Sequence, residues 1–267
     1  MTEALKKCFF KDNPPPVNHT LLNDPPPLLS CQLHLITKDK IAKALNDTSN
    51  TLALGKSGHG YKLVKWAWEA SPDWFVILFN LCLIAGMHPG AWKLAMIAVV
   101  PKPGKLDYSL PKSYRPVTLL KCIGKLLEKV ITQKILYDIG AFNLVPTNQF
   151  GAHPHSSTIQ AGLALTHDVA IAHTKGGCCG SLQFDIQGFF NNINHERLIH
   201  TFKILGFPQE ICQWLKSFLT GCMVQLRFNG FTSNAIDIMV GAPQGSPISP
   251  ILSIIYTFPL LQQANQW

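Results

Sequence analysis

A chain of 267 residues with 47% hydrophobic side chains can bury a sizeable core, so the globular class is the default and a collagen-like or wholly disordered chain is excluded. The net charge is +8, and residues 101–134 carry +6 of it, with seven lysines and Arg115 set against Asp107 and Glu128. Such a block fits an acidic partner such as a nucleic-acid backbone, and equally a solvated lysine-rich face.

The eight cysteines include no CxxC pair, and Cys178 and Cys179 are adjacent, so neither a zinc cluster nor a disulfide framework is expected. No membrane association is expected either. The N-terminal stretch has no signal-type apolar core, and the apolar run Trp74 to Met87 is too short to span a bilayer before His88, Pro89 and Gly90 interrupt it.

Residues 1–32 hold two Pro-Pro-Pro runs and few aromatics, which predicts a disordered arm. ITKDKIAKAL (36–45) reads as a helix with Thr37 as its N-cap and Ile41, Ala44 and Leu45 inward. LGKSGHG (54–60) hints at a phosphate-binding loop, but GxxxxGK[ST] needs glycine where Asn50 stands and no apolar strand precedes it, so it reads as a connector. Trp74 to Gly86 reads as a helix, Ala95 to Val100 as a strand, and KPGKLDYSLPKSYRP as a long basic loop.

Leu119 to Ile139 then predicts a helix with an apolar stripe at Ile123, Leu126, Leu127, Val130 and Ile131. Lys121, Lys125, Lys129 and Lys134 are placed on its flanks. Further helices are expected at Ser157 to His173, after an Asn194 cap, and from Pro208, with Ile211, Trp214, Leu215, Phe218 and Leu219 buried. Ser181 to Ile186 reads as a strand, and Met223 to Phe228 as one arm of a hairpin turning at Asn229 and Gly230. A glycine and proline loop, GAPQGSPIS, leads to a last helix capped by Ser249 with Pro250 at its first turn.

Asp185 closes the strand LQFDI, where a carboxylate of fixed direction suits a metal ligand, a general base or simply a turn. The surrounding segments narrow this choice. VVPKPGKLDYSLPKSYRPVTLL, NQFGAHPHSST, LQFDIQGFFNNINHERL, LGFPQEICQWLKSFL and GAPQGSPISPILS resemble, in that order, the reverse transcriptase domain of non-LTR retrotransposons, over residues 36–267.

The resemblance implies an α+β right-hand polymerase with mostly helical fingers over residues 33–178, a partial palm with a small antiparallel sheet over residues 179–267, and no thumb. It implies RNA template, DNA primer and deoxynucleoside triphosphate as partners and Mg²⁺ as cofactor. Asp185 and the backbone carbonyl of Ile186 are then metal ligands, with Asp185 catalytic. Phe190 becomes the aromatic under the sugar, and Gln244, Gly245 and Arg115 line the nucleotide pocket. Lys102, Lys105 and Lys112 become phosphate contacts.

Departures accompany the likeness. The family's paired aspartates of the YxDD motif are expected after the last helix, no acidic residue follows Asp237, and His153, Ser156 and Cys222 stand where arginine is usual. The sequence therefore predicts a truncated polymerase fragment, inactive alone. A non-catalytic RNA- or DNA-binding remnant and a product without function are the alternatives.

Overall fold

The computed structural model describes residues 1–10, 30–50, 55, 58–146, 148–152 and 156–264. In chain order the elements are α1 (Thr2–Phe9), α2 (Lys38–Asn46), α3 (Tyr61–Ala70), α4 (Pro72–Ile84), β1 (Leu94–Pro101), β2 (Tyr114–Leu119), α5 (Cys122–Phe142) and α6 (Thr158–Thr174). There follow α7 (His195–Ile204), α8 (Gln209–Leu219), β3 (Cys222–Phe228), β4 (Phe231–Thr232), β5 (Ile236–Ile238) and α9 (Ser249–Ala264). The fold is α+β.

Local chemistry sets many of these boundaries. Thr37 caps α2 by accepting from the Lys40 amide, and Asn194 caps α7 by accepting from the Arg197 amide at 3.0 Å. Ser157 and Gln160 form a reciprocal capping box at the start of α6. Asn229 (φ 48°) and Gly230 (φ 78°) turn β3 into β4 through two left-handed residues.

The sheet runs β2-β1-β3-β4, with β5 on β3. β1 pairs antiparallel with β2 (Ala98 opposite Val117) but parallel with β3 (Met96 opposite Gln225). This corrects the expected antiparallel sheet: β1 and β3 are joined by a crossover through α5 to α8, and such a long connection permits parallel pairing. The sheet also takes strands from both sides of the 178/179 boundary expected from the sequence.

The main core lies among α2, α4, α5, α7, α8 and α9, around Leu126, Leu127, Ile131, Phe202, Trp214 and Ile251. α1 covers the sheet, burying Leu5 and Phe9 against Leu226. The arm expected over residues 1–32 is thus corrected at its start, because Leu5 and Phe9, four apart, give one helical face an apolar stripe to bury. Residues 11–29 lie outside the described residues, as do Leu54, Lys56 and Ser57 of the 54–60 connector and His153.

Three further expectations change. Tyr114 to Leu119, predicted as the end of a loop and the start of a helix, forms β2, because six consecutive pairings with β1 override Pro116. Lys134 is buried, not on a flank: its ammonium meets Asp138 at 3.1 Å and the Gln32 carbonyl at 3.0 Å. Residues 181–186 form no strand, since no described segment pairs with them, and Leu182 and Phe184 are 79% and 82% exposed. Among the described residues no single helix is long and apolar enough to cross a membrane.

Candidate functional site

Three segments distant in sequence meet beside the sheet: β2, the turn 188–193, and the loop 240–248. The Thr118 amide donates to the Gln244 carbonyl at 2.6 Å, the Ala242 amide to the Phe190 carbonyl at 2.7 Å, and the Gly241 amide to the Ile193 carbonyl at 2.9 Å. Two glycines permit this approach. Gly241 has φ 90°, and a Cβ there would lie 2.7 Å from the Phe190 carbonyl oxygen; Gly245 has φ 115°, with the Thr118 carbonyl oxygen 2.8 Å away.

His195 fastens the same loop from α7, its Nε2 lying 2.8 Å from the Gly241 carbonyl. The carbonyl can only accept, so Nε2 carries the proton. Burial lowers the His195 pKa and keeps the ring neutral, with the bond to Gly241 acting in the opposite sense.

Lys102, Lys112, Arg115, Gln187 to Phe189 and Gln244 line an open cleft of about 580 Å³ at this junction. That volume is within the roughly 300–1,000 Å³ usual for small-molecule sites. The cationic loop is ordered by its own backbone: the Lys102 ammonium donates to the Lys112 carbonyl at 2.8 Å, and the Tyr108 hydroxyl to the Lys102 carbonyl at 2.8 Å. Lys105 sits exposed on this loop without lining the cleft.

Phe190 lies behind the cleft. It packs edge-on to Phe189 at 5.5 Å and contributes to the core, and with Lys125, Lys129, Gln244 and Gly245 it lines a second groove between α5 and the loop. Gly245 belongs to this second groove.

Asp185 and Ile186 are not brought into either cleft; both are exposed on the unpaired segment that precedes Gln187. Magnesium takes six oxygen ligands, typically including one or two carboxylates, and a pair of divalent ions needs several anions between them. Among the described residues no group of three His, Cys, Asp or Glu could hold a metal ion. Asp185 with one carbonyl does not meet that requirement.

One buried side chain at the junction, and the half-buried His195 beside it, were not anticipated. Glu128 on α5 is 1% exposed, and its Oε2 accepts from the Ser246 hydroxyl of the loop. Burial pushes its pKa up to about 7, against the opposing effects of the Ser246 bond and Lys125. The available signal was a carboxylate sharing a helical face with Gly124, Ile131 and Ile135.

The profile of the family described as reverse transcriptase (RNA-dependent DNA polymerase) matches residues 100–267. The chain is 34% identical over 184 residues to the RNA-directed DNA polymerase from mobile element jockey of Drosophila funebris, covering 69% of this chain and 20% of that protein. It is 30% identical over 189 residues to the probable RNA-directed DNA polymerase from transposon X-element of Drosophila melanogaster, covering 71% and 21%. With the jockey polymerase of Drosophila melanogaster the identity is 27% over 229 residues, covering 85% of this chain and 25% of that protein. The chain thus spans between a fifth and a quarter of the length of these curated relatives. A profile covering residues 100–267 takes in β2, the 188–193 turn and the 240–248 loop together, and on that match the chain belongs to the reverse transcriptase family.

Proposed function

We propose that this chain supplies fingers and part of the palm of a retrotransposon RNA-directed DNA polymerase, holding an RNA template, a DNA primer and an incoming deoxynucleoside triphosphate. The observation that carries the reading is the cleft where Lys102, Lys112 and Arg115 face Gln244. Fixed cations replace the counterions condensed on phosphates, so this wall takes the triphosphate or the backbone of the paired strands. Lys105 extends the same charge outward along the loop.

The second groove, with Phe190 and Gly245 on its wall and Lys125 and Lys129 on its rim, suits the stacked base and sugar next to the templating position. Phe190 is held from behind by Phe189, so its ring is a rigid surface and not a mobile flap.

Asp185 and the Ile186 carbonyl are assigned as metal-facing groups that need further anionic ligands. Mg²⁺ would supply activation of the primer hydroxyl and charge neutralisation at the leaving group. No chemical step is assigned to this donor set alone, and the chain by itself is expected to bind its substrates without polymerising them. Primer extension on an RNA template with Mg²⁺ tests this: no product above that of Asp185→Ala is expected. Template-dependent synthesis that disappears in Asp185→Ala contradicts the expected inactivity, and failure to bind template and primer at all contradicts the function.

A further inference from the structure

Glu128 is the one acidic side chain on α5 that meets the 240–248 loop, and it meets it without a partner cation. Its carboxylate accepts from the Ser246 hydroxyl; the Ser246 oxygen in turn accepts from the Ile248 amide at 3.3 Å. Within the same loop the Ser246 amide and the Ser249 hydroxyl both donate to the Pro243 carbonyl, at 3.2 and 2.8 Å. The loop is therefore a closed hydrogen-bonded turn; the 188–193 turn and His195 hold its start at Gly241 and Ala242, and two anchors hold its Pro243 to Ile248 part. Thr118 of β2 holds it at Gln244, and Glu128 of α5 holds it at Ser246.

Ionisable groups acting on Glu128 come from several elements. Lys125 is on its own helix, one turn earlier, and opposes the effect of burial. Tyr61 of α3 and Cys222 of β3 are also within electrostatic reach, and each has its own ionisation suppressed partly by Glu128. His195 faces the far end of the loop at Gly241. None of them forms an ion pair with Glu128 among the described residues, so one hydroxyl carries the compensation for burying the carboxyl.

A buried carboxyl with a single partner adds little net stability, and an apolar side chain would serve the core as well. Its distinctive effect is directional, fixing the Ser246 side of a loop that β2 holds at Gln244 and that the 188–193 turn and His195 hold at Gly241 and Ala242. We propose that Glu128 is a positioning residue: by holding Ser246 against α5 it sets where Gln244 and Gly245 face the template and nucleotide. This rests on the function proposed above.

The consequence is a measurable dependence on pH. Opening the loop hydrates the carboxyl and returns it toward its ordinary value of 4.5, whereas in the closed loop it stays protonated up to about 7. Opening therefore becomes easier as pH rises from 4.5 to 7 and levels off above it.

Amide hydrogen exchange at Ile248, corrected for its intrinsic rate, reads the opening directly in the 267-residue chain. From pH 5 to pH 7 the protection factor is expected to fall about tenfold or more in the wild type, since each unit of pH in this window is worth a factor of ten. Glu128→Gln keeps the hydrogen bond and loses the ionisation, so its protection is expected to stay flat; any residual slope belongs to His195. Anisotropy of a labelled RNA·DNA hybrid at pH 7 is the second readout, with Glu128→Gln binding at least as tightly as the wild type and Glu128→Ala several-fold more weakly. Wild-type protection that does not change with pH, or a glutamine variant that changes as the wild type does, overturns the role of Glu128. Hybrid binding absent from all three proteins, with the exchange results as expected, overturns the proposed function and leaves Glu128 as the anchor of the loop alone.

Discussion

At the scale of single residues, Glu128 and His88 oppose each other. His88 is buried against Trp92, Trp214 and Phe218, with ring centroids 5.5, 5.7 and 5.2 Å away, and burial lowers its pKa to about 4 from 6.5. A depressed histidine contributes stability that is present above 6.5 and is lost as pH falls toward 4. Glu128, raised from 4.5 to about 7, works the other way, its contribution being complete below 4.5 and lost as pH rises toward 7. Between pH 4.5 and 6.5 the two slopes, each about 1.4 kcal/mol per pH unit, nearly cancel. Denaturant unfolding of Glu128→Gln is thus expected to show stability falling by roughly 2–3 kcal/mol from pH 6.5 to 4.5 relative to the wild type. His88→Phe is expected to show the opposite trend. Parallel pH profiles in the three proteins would contradict both assignments.

Among elements, α6 and the segment after it differ from the rest. No residue of α6 is buried, and Ile159, Leu163 and Leu165 on it are exposed together with Leu182, Phe184 and Ile186. Exposed apolar surface on this scale favours association. Leu163→Asp with Phe184→Asp is expected to raise the monomer fraction in sedimentation velocity while leaving the unfolding free energy within about 0.5 kcal/mol of the wild type. A large loss of stability would show that these side chains are packed. The caps at Thr37 and Asn194 and the Asn229-Gly230 turn were legible in the sequence because each is local chemistry, whereas Ser157, read as the first helical residue, is the N-cap of α6. β2 was not, since Pro116 and a proline-rich approach read as loop, and only pairing with β1 reveals the strand. The strand expected at 181–186 failed for the complementary reason: its β-prone residues have no described partner to pair with.

For the whole molecule, the resemblance of SYRPVTLL, FDIQGFF and GAPQGSPIS to one family points to Arg115, Phe190 and Gln244 from the sequence alone, and the chain does belong to that family. The backbone bonds that join these segments, and the buried Glu128 and half-buried His195 that brace them, depend on tertiary contact and left almost no linear trace. Of the +8 charge, +6 lies in residues 101–134, which supply Lys102, Lys112 and Arg115 to the cleft, and this gives the account its most direct test. Dissociation of an RNA·DNA hybrid should be measured by fluorescence anisotropy from 50 to 200 mM salt, for the wild type and for the combined Lys102→Ala, Lys112→Ala and Arg115→Ala variant. The logarithm of the wild-type binding constant is expected to fall linearly with the logarithm of salt, with a slope of about −2 to −3 from these three cations, and the variant to bind weakly with most of that slope gone. Binding that is insensitive to salt, or a variant that binds as the wild type does, would contradict the assignment of this cleft to template, primer and nucleotide.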